Sequence, residues 1–159
     1  MANELDKMTK KSQEAMQAAA ELAEKSQHPT VEPEHLLYSL IAQSEGVVPR
    51  VLEKMGVTPK SALAELKVLL DRMPKVTGGS KVAASGRLQK AFEQADRQTT
   101  LWDDSFISTE HFLLGMLEIN DTNLNNFFKK LGFKKNLLID QIKAVRGNQK
   151  VTDDSPENK

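Results

Sequence analysis

The chain has 159 residues, with 22 Lys plus Arg against 22 Asp plus Glu and no cysteine. This length fits one compact domain that buries roughly 68–70% of its unfolded surface, while the lack of cysteine excludes disulfides and thiolate metal sites. A zero formal charge argues against nucleic acid as a main ligand, because phosphate binding draws on clustered Lys and Arg; no apolar run approaches the ~20 residues of a membrane crossing, and Met1-Ala2-Asn3-Glu4 lacks the basic-then-apolar start of a signal peptide. A cytoplasmic location is the expectation.

From the N-terminus, Thr9 can cap a helix whose Ala15, Met16, Ala19, Leu22 and Ala23 form one buried stripe. Pro33 suits the first position of a second helix, with Leu36, Leu37, Leu40 and Ile41 facing a core. Val47 to Met55 reads as a short third helix stopped at Gly56, and Thr58-Pro59 opens a fourth through Leu63, Leu66, Leu69 and Leu70. Residues 73–84, with Gly78-Gly79-Ser80 at their centre, read as a connector able to flex.

The pattern then begins again. Glu34-His35 recurs 76 residues on as Glu110-His111, and the same offset pairs Thr9 with Ser85, Gln13 with Gln89, Leu37 with Leu113, Lys54 with Lys130 and Gly56 with Gly132. Apolar positions follow, Leu36 with Phe112 and Leu66 with Ile142 among them. The expected fold is all-α: about eight helices in two pseudo-two-fold-related four-helix copies, residues 9–72 and 85–146, forming one domain over 1–146. No alternating run flanked by hairpin turns suggests a sheet. Residues 147–159 hold one aliphatic side chain, Val151, and read as a flexible linker toward a further module.

Catalytic motifs find little support. Neighbouring Glu and His side chains on a helix diverge by about 100°, neither pair has the i, i+4 histidine spacing of a helical zinc site, and the chain holds three histidines. The expectation is that Glu34 and Glu110 favour the helix dipole while His35 and His111 pack or hydrogen-bond across the interface between the copies. Gly78-Gly79-Ser80-Lys81 lacks phosphate-loop spacing, and no serine lies in a nucleophile elbow. No metal and no cofactor are expected in this chain. Trp102 and Phe106, with Leu101 and Ile107, form an apolar cluster where the first copy has Lys25, Ser26, Thr30 and Val31. It reads either as a lid on the core or as a partly exposed patch for an apolar partner.

The run His28-Pro29-Thr30-Val31-Glu32-Pro33-Glu34-His35-Leu36-Leu37, then Gly46-Val47-Val48-Pro49 and Leu52-Glu53-Lys54-Met55-Gly56-Val57, resembles a Clp repeat N-terminal domain, and Phe106-Ile107-Ser108-Thr109-Glu110-His111-Phe112-Leu113 repeats the likeness. Met73-Pro74-Lys75-Val76, Val145-Arg146-Gly147 and Gln149-Lys150-Val151-Thr152-Asp153 are similar to the disaggregase branch of the family. The resemblance implies a non-enzymatic front domain of a homohexameric AAA+ ATPase that threads aggregated polypeptides with an Hsp70-type chaperone system, ATP and Mg belonging to modules outside this chain. It implies unfolded or aggregated proteins as partners, a monomeric isolated domain, and polar substrate-binding positions at Thr9, Asp104 and Glu110 beside an apolar groove. Leu88, Phe92, Trp102, Phe106, Ile107 and Phe112 are the expected apolar contributors, with Gln94 and Gln98 on the groove-lining helix. The alternative is an adaptor-docking or phosphoarginine-docking domain of a ClpA- or ClpC-type protease unfoldase, using Glu34 and Glu110.

Overall fold

The computed structural model describes residues 5–78, 81–147 and 149–158. Two sets of four helices account for most of them: α1 (Lys10–Lys25), α2 (Pro33–Ala42), α3 (Val47–Lys54) and α4 (Pro59–Asp71), then α5 (Gly86–Leu101), α6 (Thr109–Glu118), α7 (Thr122–Lys130) and α8 (Lys135–Arg146). The all-α expectation holds, and the first two helices of each set keep the 76-residue offset to the residue.

Helix starts follow from hydroxyls and carboxylates placed to satisfy otherwise unpaired N–H groups. The Ser12 amide donates to Thr9 Oγ1 at 3.2 Å and the Leu88 amide donates to Ser85 Oγ at 3.1 Å, the same cap in each copy. The Leu124 amide donates to Asp121 Oδ2 at the start of α7. Gly56 and Gly132, 76 residues apart, both take a left-handed φ, 81° and 77°, after α3 and α7. A Cβ in that region is strained, which makes glycine the natural stop.

α1 packs on α2 and α5 on α6, with α3 reaching across to α6 and α8. The core is continuous across both copies, from Ala15, Ala19 and Leu36 through Val51 and Leu66 to Phe112, Leu124 and Ile142. Small residues let α5 and α6 approach closely. A Cβ built on Gly115 would stand 2.7 Å from the Ala95 nitrogen and 2.9 Å from the Ala91 oxygen.

Short extended pieces tie the copies together. β1 (Thr30–Val31) runs parallel to β2 (Ala83–Ala84), pairing Val31 with Ala84. Met8 pairs with Ile107 in a separate parallel bridge. Ile107 is the counterpart of Val31, and Met8 that of Ala84, so each copy lends the residue before the cap of its first helix to the residue before the cap of its partner's second. Two-residue pairings are too short to leave an alternating sequence signal, which is why a strand-free fold was expected.

The connector is pinned on both sides of its tip: the Val76 amide donates to the Gln27 carbonyl at 2.8 Å, and Ala83–Ala84 forms β2. The expected flexible tip, Gly79 and Ser80, lies outside the described residues. The C-terminal segment departs from the flexible linker that its composition suggests. The Ser105 amide donates to the Val151 carbonyl at 2.7 Å, the Lys10 amide donates to the Asp154 carbonyl at 2.8 Å, and Val151 is 2% exposed. Composition counts apolar residues and misses backbone pairing, so one well-placed valine and two main-chain hydrogen bonds suffice to dock a polar segment. No helix among the described residues is long and apolar enough to cross a membrane.

Candidate functional site

The two Glu-His pairs occupy equivalent places and serve first as helix-start devices. The Glu32 amide donates to His35 Nδ1 at 2.8 Å, and the Ser108 amide donates to His111 Nδ1 at 2.8 Å. With Nδ1 accepting, the proton of each neutral ring belongs on Nε2. That proton points back within the same copy: His35 Nε2 meets His28 Nδ1 at 2.8 Å, and His111 Nε2 meets Asp104 Oδ2 at 2.7 Å. His28 and Asp104 are counterparts in the repeat. The histidines therefore bond inside their own copies, where contacts across the interface had been expected. Burial, with His28 alongside, lowers His35 to about 4, and His28 is also lowered, chiefly by burial.

The first copy's glutamates are what cross between copies. Arg87, at the start of α5, reaches back to Glu34 with Nη2 to Oε2 at 2.8 Å and Nη1 to Oε1 at 3.1 Å. Its Nη1 also donates to Glu32 Oε1 at 3.0 Å, and Nε and Nη2 donate to the two Asp121 oxygens at 2.8 Å. One guanidinium thus satisfies three carboxylates, a planar fork matched to planar acceptors. The Arg87 hydrogen bonds lower Asp121. Hydrogen bonds from Thr30, Ser85 and Arg87 outweigh burial at Glu32 and lower it too.

The equivalent place on the other side of the pseudo-two-fold is built differently. Lys11 stands where Arg87 does and Ser108 where Glu32 does, so Glu110 has no fork from α1. Arg146, at the end of α8, approaches instead: Nε lies 3.6 Å from Glu110 Oε2, Nη2 donates to Asp104 Oδ1 at 2.6 Å, and the guanidinium lies 5.0 Å over the Trp102 ring. Burial works against charge on Asp104, but bonds from His111, Arg146 and the Val151 amide outweigh it and hold the carboxyl at about 2.

The C-terminal segment completes this side. Thr9 Oγ1 donates to Glu157 Oε2 at 2.9 Å, and the Val151 amide donates to Asp104 Oδ1 at 2.9 Å. Glu157 is pushed up by burial and by the neighbouring Glu110, against the pull of Thr9. Glu110 Oε1, Glu157 Oε1, Arg146 Nη1 and Thr109 Oγ1 are buried without a hydrogen-bond partner. Thr9, Asp104 and Glu110 are linked through Glu157 and Arg146 and lie beneath residues 149–158; the Asp104 side chain is fully covered.

The apolar residues of the expected site are dispersed. Leu88 and Phe92 line a groove of about 420 Å³ between the copies, with Leu5, Met8 and Met16 opposite. Ile107 and Phe112 are core residues, 1% and 0% exposed, and Phe112 meets the groove through the Phe92 ring, 6.0 Å between centroids. Phe106 is half-buried. Trp102 lines a separate cleft toward α8 with Gln94, Gln98 and Lys150, so neither glutamine lines the Leu88–Phe92 groove. Sequence reasoning missed Leu5 and Met8, which precede the first periodic helix, and Arg87 and Arg146, whose partners are distant in the chain. Among the described residues no cluster of His, Asp or Glu is arranged to hold a metal ion.

Two four-helix copies crossed by a short strand pair and its counterpart bridge define a pseudo-symmetric all-α repeat fold. The Clp repeat (R) N-terminal domain family matches residues 7–131, and the chain belongs to that family. Among relatives, the chaperone protein ClpB of Bdellovibrio bacteriovorus is 52% identical over 153 residues, 96% of this chain and 18% of the relative. ClpB of Mycobacterium tuberculosis is 35% identical over 150 residues, 94% of this chain and again 18% of the relative. The chain thus spans about a fifth of the length of these relatives. In structure it is similar to the Hsp104 N-terminal domain of Candida albicans, with a TM-score of 0.83 at 18% identity covering 94% of this chain and 98% of that one. It is also similar to a ClpV N-domain solved in complex with a VipB peptide, TM-score 0.73 at 19% identity, covering 91% and 89% of the two chains.

Proposed function

We propose that this domain is the client-recognition front end of a ClpB-type disaggregase, binding exposed apolar segments of unfolded or aggregated proteins. The observation that carries the reading is the groove between the copies, where Leu5, half exposed, and the partly buried Met16 and Phe92 offer apolar surface over a floor of buried Met8 and Leu88, beside polar groups of Gln89 and Glu93. Methionine side chains adapt their shape to varied partners. An unfolded client loses conformational entropy when it is ordered, so a shallow groove gives weak, exchangeable contacts, which suits capture followed by release. The ClpV N-domain bound to a VipB peptide supports peptide binding as something this fold accommodates. In this reading the domain is monomeric and performs no chemistry; ATP and Mg belong to AAA+ modules of a cytoplasmic homohexamer working with an Hsp70-type system.

The ClpA- or ClpC-type docking alternative needs Glu34 and Glu110 free to take a guanidinium, and Arg87 already holds both oxygens of Glu34. That internal occupation favours client capture over phosphoarginine docking. An NMR titration with reduced, carboxymethylated α-lactalbumin tests the choice. Shifts at Leu5, Met8, Leu88 and Phe92 are expected. Shifts restricted to Glu34 and Arg87, or none, would overturn the proposal.

A further inference from the structure

The two sides of the pseudo-two-fold differ in one respect that the repeat alone does not explain. On the Glu34 side, the carboxylates and the guanidinium come from the two copies themselves, through Glu32, Glu34 and Arg87. On the Glu110 side, Ser108 and Lys11 replace Glu32 and Arg87, and the carboxylate beside the helix-starting hydroxyl comes from Glu157, 148 residues away from Thr9 in the chain. Glu157 Oε2 also accepts from the Thr109 amide at the start of α6, at 3.4 Å. The segment between bends at residues 153–154, closes in a 3-10 turn over Pro156–Asn158 and is anchored at Val151, whose carbonyl accepts from the Ser105 amide and whose amide donates to Asp104. Pro156, also buried, leads into Glu157.

The mode of attachment is that of a bound peptide: one apolar anchor, main-chain hydrogen bonds to the body, and a carboxylate set at helix N-termini. The fit is incomplete. Glu110 and Glu157 meet as two carboxylates, each with an oxygen that lacks a partner, and such groups cost roughly 1–3 kcal/mol each in a buried setting. A ligand held in this way exchanges readily.

We propose that residues 149–158 are a tethered ligand of the Thr9–Asp104–Glu110 surface, competing with an extended client segment for it, so that client capture releases this strap from the domain. The inference rests on the client-binding reading above and adds to its groove a second seat for the client, the one that this segment covers. It assigns the site a ligand chemistry, an extended segment pairing an apolar residue with a carboxylate a few residues on. It also makes the position of the chain after Arg146 report whether a client is bound.

Two substitutions in the full chain move the competition in opposite directions. Val151→Asp removes the apolar anchor and frees the surface; with a strap docked about 90% of the time, client affinity rises roughly tenfold. Glu157→Gln replaces the carboxylate repulsion with an amide N–H that Glu110 can accept, tightening the strap and weakening client affinity about fivefold. Affinity for reduced, carboxymethylated α-lactalbumin is read by fluorescence anisotropy, and exchange protection of the Val151 and Ser155 amides by NMR, with and without client. Tighter binding in the first variant, weaker binding in the second and loss of protection on adding client to the unsubstituted chain support the proposal. Equal affinities in all three proteins, with shifts in the Leu88–Phe92 groove, would overturn the competition and leave the client-binding reading standing. No binding by any of them would overturn both.

Discussion

Arg87 of the second copy holds Glu34 of the first through two hydrogen bonds, 2.8 and 3.1 Å, while the counterpart of Arg87 across the pseudo-two-fold, Lys11, leaves Glu110 to Arg146 and pairs instead with Glu14 at 3.9 Å. A repeat that keeps its first two helices to the residue has diverged in the ions at its seams. The copies are thus welded on one side and open to an added segment on the other.

Removing the weld is therefore costly. Arg87→Leu strands Glu34, whose side chain is 1% exposed, beside Glu32 and Asp121. Breaking a buried pair by deleting one partner costs about 3–5 kcal/mol. Arg87 itself is about a third exposed, so the expected loss is near the lower end, about 3 kcal/mol in urea-induced unfolding. Arg87→Lys recovers only part of it, because an ammonium does not reproduce the fork.

Gly115→Ala places a methyl group 2.7 Å from the Ala95 nitrogen, where only backbone can yield. The gain in helix propensity of about 1 kcal/mol is smaller than the cost of forcing α5 and α6 apart. A net destabilisation of about 1–2 kcal/mol is expected, read from the denaturant midpoint. At the equivalent Ser39 the first copy already accommodates a side chain, so Ser39→Ala is expected to change stability by less than about 1 kcal/mol.

Acid weakens the fold in two windows. His35 is lowered to about 4 from its ordinary 6.5, so the folded state keeps it neutral while the unfolded chain takes up a proton below 6.5. Its contribution is fully present above 6.5 and falls as pH drops toward 4, by at most about 3 kcal/mol. His35→Gln should flatten that stretch of the stability-versus-pH curve measured by urea unfolding.

The lower window belongs to Asp104, held at about 2 against an ordinary 3.8. A depressed carboxyl stabilises the fold above 3.8 and loses that contribution as pH falls to 2, about 2 kcal/mol in all. Asp104→Asn should remove its share of this window and, by leaving Arg146 short of a carboxylate, cost about 3 kcal/mol at neutral pH. A shallower fall between pH 4 and 2 in the variant than in the parent is the expected pair of results, the remaining fall belonging to Asp121 and Glu32, whose carboxyls are also lowered.

Phe92→Asp places a charge in the groove between the copies and is expected to weaken capture of an unfolded client by at least about tenfold in an anisotropy titration. Val68→Ser, on the exposed face of α4, should leave both capture and thermal unfolding unaltered.

Much of this protein was legible in its residues. The 76-residue offset, the Thr9 and Ser85 caps and the glycine stops after α3 and α7 are local chemistry, and helices form or end on local chemistry. The offset also carried the family resemblance and the all-α fold. The site was legible in part. Thr9, Asp104 and Glu110 share one side of the domain through Glu157 and Arg146, whereas Leu88, Ile107 and Phe112 are buried in the core, and Trp102 faces a different cleft from Phe92.

Tertiary structure decided which apolar residue is surface and which is core, because a side chain's burial depends on what packs over it and not on its own pattern. It decided that Glu34 belongs to Arg87, 53 residues away, and that a polar C-terminal segment lies docked on the body. Periodicity reports contacts within about a helical turn. Ion pairs and main-chain bonds between distant segments leave no period in the sequence, and the difference between the two sides of this pseudo-symmetric domain rests on those bonds.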